Sequence, residues 1–318
     1  MRLAFAVFLA CALGAKADPI AVTATPLSGL RTGDFGPLMW RGGLELESAD
    51  AEFGGLSGLA LSPDCKSLLA VSDTGRWFKA ALRYDGETLS GVEKTELAPM
   101  LDARGRPFKG KVRSDAEAIA SVGPGRYLVG FESRPRVGIY DVGKSGFKAR
   151  LQALKSPKGI AQGPRNAELE SVGQIASGPW TDYHFVISES NLDDNGNIRG
   201  WLWQGAKTIS FAVKRLGDYA ITDAAILEGG DILILERSFS GLFPGMSVRR
   251  FPAAAITAGA AVDPTPIFEG SATTHAIDNM EGIALCKFGD ETRVTIVSDN
   301  NFNTRLQRTL LLQFGYDP

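Results

Sequence analysis

The chain has 318 residues, 44 % of them hydrophobic and 37 of them glycine, and a formal net charge of −2. That composition excludes a disordered or low-complexity chain and fits a turn-rich globular one. No cluster of Lys and Arg forms the basic footprint that a nucleic-acid backbone requires, so nucleic acid is not an expected partner.

Arg2 supplies a positive start, residues 3–13 an apolar stretch, and Ala15-Lys16-Ala17 an A-x-A site before Asp18. This pattern predicts a secretory signal peptide over residues 1–17, cleaved after Ala17, with a single mature domain over 18–318 in the periplasm or secreted. Phe8-Leu9-Ala10-Cys11 loosely matches a lipoprotein box, but phenylalanine in the first slot and the short core before it favour cleavage after Ala17. The apolar core is too short to span a bilayer, and no later run reaches the roughly 20 residues a spanning helix needs. The mature chain is therefore expected to be soluble and monomeric.

Residues 36–48, including Leu38-Met39-Trp40 and Leu44-Glu45-Leu46, read as strand. After them a two-part unit recurs five times: a short segment opening on a small polar or acidic residue, then an apolar segment closing on an acid. The copies are Ser57-Gly58-Leu59-Ala60 with Leu68 to Asp73; Glu117-Ala118-Ile119-Ala120 with Tyr127 to Glu132; and Glu170-Ser171-Val172 with Phe185 to Glu189. The last two are Asp223-Ala224-Ala225-Ile226 with Ile232 to Glu236, and Glu281-Gly282-Ile283-Ala284 with Val294 to Asp299. Openings 53 to 60 residues apart suit about four strands per copy, as in a propeller blade. The predicted fold is all-β: a β-propeller of five or six four-stranded blades. The N-terminal strand joins the C-terminal blade and so closes the ring and removes exposed edges.

Between these segments, short apolar runs alternate with Gly, Pro, Asp and Asn, and helical periodicity is confined to one short turn within residues 253–261. Longer connections at 98–114, 153–168, 190–199 and 237–248 are expected on one rim, where recognition loops sit. Without the signal peptide two cysteines remain, Cys65 and Cys286, at matching places in the first and fifth copies. A bridge there would lock the ring, but blade-to-blade distances often exceed what a disulfide tolerates, and two separate thiols is the favoured reading.

In a propeller the innermost strands line the channel, so residues repeated at their ends converge on one axis. Here they are Ser57, Glu117, Glu170, Asp223 and Glu281 at the openings, with Asp115, Glu168 and Asn279 two positions earlier, and Asp73, Glu132, Glu189, Glu236 and Asp299 at the closings. So many carboxylates raise one another's pKa unless they find partners. A hard divalent cation is one partner, since carboxylate and amide oxygens are calcium ligands, and in Ser298-Asp299-Asn300-Asn301 three further oxygen-bearing side chains flank the closing acid Asp299. Arginine is the other, and Arg113, Arg134, Arg136, Arg165, Arg237 and Arg305 all lie close in sequence to these acids. Against both stands the reading that the acids cap turns and bond the backbone N–H groups of neighbouring blades.

Other constellations are weaker. Asn191-Leu192-Asp193-Asp194-Asn195-Gly196 matches the first half of an EF-hand loop, but Leu202 stands where the closing glutamate belongs, which favours a polar hairpin. With only His184 and His275, a multi-histidine zinc site is excluded.

Four strings resemble the phytase-like family known for the esterase-like activity of phytase, found in exported bacterial proteins: Phe53 to Leu59; Ser114 to Ile119; Asp223 to Leu227 with Ile234 to Arg237; and Asn279 to Ala284 with Ser298 to Phe302. The resemblance implies a β-propeller and phosphoric-ester hydrolysis. The expected activity is a calcium-dependent phosphoester hydrolase at the channel mouth, acting on a small-molecule ester or phosphoester. Metal ligands are expected among Glu117, Glu281, Asp299, Glu132, Glu189 and Glu236, and catalytic roles for Glu117, Glu281, Arg134, Arg237 and Arg305. The alternatives are a non-catalytic propeller that binds a ligand or protein on its loop rim, and a lactonase-like carboxylic-ester hydrolase.

Overall fold

The computed structural model describes residues 17–28, 34–163, 169–240 and 243–317. The expected signal peptide, Arg165 and Glu168 thus lie outside the described residues, Ala17 excepted. Within them, five sheets follow one another around a ring, antiparallel except where residues 212–213 pair parallel with Ala261–Val262 at the outer edge of the third.

The innermost strands of the blades are Leu56–Leu61, Ala116–Ser121, Ser171–Gln174, Ala220–Ile226 and Met280–Phe288. Each packs against the next, and the fifth against the first, so the ring is closed. The sequence left five or six blades open, and the structure has five. Three strands of the last blade come from the C-terminal stretch, and the N-terminal strand Met39–Glu47 pairs antiparallel with Thr309–Tyr316 to complete it, as expected. Short strands cover three outer edges, Asp18–Pro19 on the first blade, Ala261–Val262 on the third and Thr23–Pro26 on the fifth, which leaves fewer unpaired N–H and C=O groups there.

Apolar residues that alternate along the strands fill the space between blades. Val71, Trp77, Ile119 and Phe131, all buried, belong to one cluster spanning the first two blades. The predicted helical turn within 253–261 is the short 3-10 segment Ala253–Ala255. Residues 193–197 form the expected polar hairpin, with the Asp193 carboxylate accepting from the backbone N–H groups of Asn195 and Asn197, both at 2.9 Å.

Cys65 and Cys286 are joined in a disulfide, with their Cα atoms 5.3 Å apart, so the expectation of two separate thiols is corrected. The reason is the closeness of the innermost strands. A Cβ built on Gly282 would lie 3.0 Å from the Cα of Gly58, so glycine at 282 lets the fifth blade approach the first. The covalent link ties together the two blades that also share the ring closure.

A local irregularity recurs at the channel-facing end of the innermost strands. The ladder skips one residue between Leu56 and Gly58, Ala116 and Ala118, Ile221 and Asp223, and Met280 and Gly282. The skipped residues are Ser57, Glu117, Thr222 and Glu281. A bulge leaves its extra residue outside the ladder and re-aims its side chain.

Candidate functional site

One mouth of the channel is a cavity of about 190 Å³ lined by seven carboxylates, those of Asp73, Glu117, Glu132, Glu170, Glu189, Glu281 and Asp299. Ser57, Asn301 and two cations, Lys111 and Arg237, complete the lining. Further along the channel a second cavity of about 200 Å³ is lined mainly by apolar residues, Leu59, Ile119, Val172 and Ile283 among them, with Ser121 and Gln174. Charge is concentrated at one end because the bulged residues and the residues closing the second strands all reach the same rim.

Two groups of three acids lie especially close. One carboxylate oxygen from each of Asp115, Glu117 and Glu132 falls within 4.8 Å of the others, and so does one from each of Glu132, Glu170 and Glu189. Glu132 belongs to both. The second group is assembled from the second and third blades, so no local segment could create it.

The two cations contact different acids. Arg237 donates through Nη2 to Glu189 Oε1 at 3.0 Å and through Nη1 to Asn279 Oδ1 at 2.7 Å and to Glu281 Oε1. Asn279 also donates to Glu281 Oε1, at 2.7 Å. Lys111 Nζ donates to Asp73 Oδ2 at 2.7 Å and lies 3.7 Å from Asp115 Oδ1. Asp299 accepts from the backbone N–H of Asn301 at 2.7 Å. Close packing of the rim depends on Gly55, whose φ is +61°: a Cβ there would lie 2.2 Å from Asp73 Oδ1.

Among the described residues two cations face seven acids, and burial makes the excess of like charge costly. Burial pushes Glu117 well above the usual carboxylate range, with repulsion from Asp115 adding to it. Glu170 is raised well above that range by burial and then by Glu117, Glu189, Glu132 and Glu281. Burial raises Glu281 to about 8 although Arg237 pulls it down, and raises Asp299 to about 6. Glu189 is raised by burial and held back by Arg237.

Of the ten opening and closing positions, only Asp223 and Glu236 are absent from this lining, and both belong to the fourth blade. The expectation that they face the channel is corrected. Ile221 pairs with Glu236 across the ladder, just as Leu56 pairs with Ser72 and Met280 with Ser298. The fourth-blade equivalents of the opening and closing acids are therefore Thr222 and Arg237. Glu236 instead makes a fully buried pair with Arg249, accepting at 2.6 and 2.5 Å, and accepts from Ser247 at 3.2 Å. Asp223 accepts from the backbone N–H of Ala224 and of Ile283, both at 2.8 Å, and so joins the fourth blade to the fifth.

The arginines divide as well. Arg237 lies among the acids, Arg134 lines a separate basic cavity, and Arg305 is exposed on the 299–308 loop. The expectation of Arg134 and Arg305 at the acidic mouth is thus not met. His275 lies elsewhere, 2.7 Å from the carbonyl oxygen of Asp34. Sequence reasoning missed Lys111, which lies outside the repeat; its place four residues before Asp115 was the one available signal.

The model of the phytase-like family, described as "Esterase-like activity of phytase", matches residues 51–302. The chain belongs to this family. The match runs from before the first blade's innermost strand to the loop beside Asp299, so every acid of the mouth falls inside the family region. No curated protein matches. Among solved structures, this phytase-like chain is similar to a gluconolactonase from Xanthomonas campestris at 11 % identity and a TM-score of 0.44, over 94 % of this chain and 97 % of that one. It is also similar to a chain in a Saccharomyces cerevisiae complex of Dbp5 with Nup159, Gle1, IP6 and ADP, at 10 % identity and a TM-score of 0.37, over 92 % and 98 %. No helix among the described residues is long and apolar enough to cross a membrane.

Proposed function

We propose that this chain is an exported, calcium-dependent hydrolase of phosphoric esters acting at the acidic mouth of the propeller. The observation that carries this reading is the pair of three-carboxylate groups sharing Glu132. Their donor set is all oxygen, which suits a hard cation. Asp73 Oδ1 and Asp115 Oδ1, both buried, have no hydrogen-bond partner among the described residues, and a cation would satisfy such atoms. Either group, Asp115, Glu117 and Glu132 or Glu132, Glu170 and Glu189, would hold it. When bound, calcium supplies a Lewis acid that polarises a phosphoryl oxygen and lowers the pKa of water.

The chain's own residues supply the rest. Three acceptors hold the Arg237 guanidinium in place before any substrate arrives, so its charge is ready to stabilise a developing negative one. Lys111 brings a second positive charge to the rim, tethered to Asp73. Asp299 and Glu281, raised to about 6 and about 8, are poised to exchange a proton near neutral pH.

The test is to melt the purified mature protein in EDTA and in calcium, and to assay p-nitrophenyl phosphate and p-nitrophenyl acetate. Calcium should raise the melting temperature and support phosphatase turnover that EDTA abolishes. Absence of both a thermal shift and turnover of either ester would overturn the hydrolase reading. Turnover of the acetate alone would assign the carboxylic-ester chemistry instead.

A further inference from the structure

Beside the acidic mouth lies a cavity of opposite character, about 390 Å³ in volume. Five cations line it, Arg106, Lys109, Arg113, Arg134 and Arg136, together with Asp102 and Phe108. Asp102 neutralises one of the five, Arg106. Its carboxylate already accepts from the backbone N–H groups of Arg104 and Arg106 at 2.8 and 3.0 Å, and from the Arg106 side chain at 3.2 and 3.0 Å. Among the described residues, no carboxylate pairs with Lys109, Arg113, Arg134 or Arg136. In a chain of net charge −2 such a concentration of unneutralised cations is a local device.

Arg136 sits at the base of this cavity. Its guanidinium stacks on the Phe131 ring at 3.8 Å and faces Phe108 at 5.4 Å. It donates to the carbonyl oxygens of Arg134, at 3.0 Å, and of Arg113. Burial lowers its pKa to about 10, and the neighbouring Arg134 pushes in the same direction, against a pull upward from Tyr140 and Asp115. Two carbonyls and an aromatic face orient the fork and leave it without an anion, whereas Arg113 and Arg134 stand exposed above it.

The two cavities share a wall. Lys111 lines the acidic one while Lys109 and Arg113, two residues to either side, line the basic one. Glu132 and Arg134 divide in the same way. A ligand seated on the basic side therefore abuts the acidic mouth.

We propose that this cavity is a binding site for a tetrahedral oxyanion, a phosphate group or its chemical equivalent, held by Arg113, Arg134 and Arg136. Planar guanidinium forks match phosphate oxygens geometrically and pair with them in charge. Anion binding here stands without any catalysis. Its use as a second subsite for a substrate carrying more than one anionic group rests on the hydrolase reading above.

Inorganic phosphate is the probe, titrated calorimetrically into the EDTA-treated mature chain in the absence of calcium. The expected result is one site, at least about tenfold weaker in R113Q/R134Q, where each lost charge-assisted bond contributes an appreciable share of the affinity. Both residues are exposed, so this variant should fold; an unchanged melting temperature checks that, and R113K/R134K should recover part of the binding. Sulfate should displace phosphate and acetate should not. Absence of phosphate binding, equal binding by R113Q/R134Q, loss of binding in E170Q, or equal displacement by acetate would overturn the assignment. A calcium titration of R113Q/R134Q should match that of the parent. If phosphate binds where calcium does not, the hydrolase reading fails while the anion site stands.

Discussion

Arg237 donates to Glu189 at 3.0 Å across the channel mouth, a contact between the fourth blade and the third. The same guanidinium reaches Glu281 of the fifth blade, so one side chain ties three blades together around the acidic cavity. Replacing it leaves two carboxylates facing each other without a counter-charge. Arg237→Ala should cost about 3 kcal/mol, as removal of one partner of a buried pair does. The loss should be largest above pH 8, where Glu281 is ionised, and smaller at pH 5, where it holds a proton. Urea denaturation at the two pH values measures the difference.

The carboxylates of the mouth make the calcium-free protein sensitive to pH. Folding raises Glu281 to about 8 and Asp299 to about 6 through burial. A carboxyl with a raised folded pKa binds a proton in the native state that the unfolded chain has already released. Its contribution is fully present below the unfolded value of about 4 and is lost as pH rises through the folded value. Stability in EDTA should therefore fall between pH 5 and pH 8, and E281Q should flatten the upper part of that decline. Saturating calcium should reverse the trend, since deprotonated carboxylates bind the ion.

Glu236 and Glu170 separate structural acids from site acids. Glu236 is fully buried against Arg249, whereas Glu170 lines the cavity. E236A should destabilise the fold by about 3–5 kcal/mol because Arg249 loses its counter-charge. Calcium affinity, measured on the folded fraction, should be unchanged. E170Q should have the opposite profile, with calcium binding weakened at least about tenfold as one charged ligand is lost. Without calcium it should be as stable as the parent or more so, because one source of repulsion is gone. Paired melting curves with and without calcium distinguish the two.

The bond between Cys65 and Cys286 joins residues 221 apart in sequence and closes the first blade onto the fifth. A link over so long a loop constrains the unfolded chain strongly, and its loss should cost about 2–5 kcal/mol. C65S/C286S should melt several degrees lower than the parent, and a reductant should lower the parent's melting temperature but not the variant's.

Much of this could be read along the chain. Ser72-Asp73, Phe131-Glu132, Ser188-Glu189 and Ser298-Asp299 each end an apolar run on the acid that reaches the mouth. The fourth blade departs because Glu236 takes the place that Ser72 and Ser298 hold, with Arg237 in the acid's position. A comparison of that one string with its counterparts carried the signal, but shared acidity masked the one-residue offset. Successive side chains on a strand point to opposite faces, so that offset sends Glu236 into the core and Arg237 into the channel.

The sequence by itself determined the number of repeats, the all-β class, the strand that closes the ring and most of the acids at the mouth. Those properties follow from periodicity, which is local. Tertiary structure decided the partners: Cys65 with Cys286, Arg237 with Glu189 and Glu281, Glu236 with Arg249, and the separation of Arg134 from the acids. Each depends on the distance between groups far apart in the chain, and that distance is set by how closely the blades pack and where each ladder bulges.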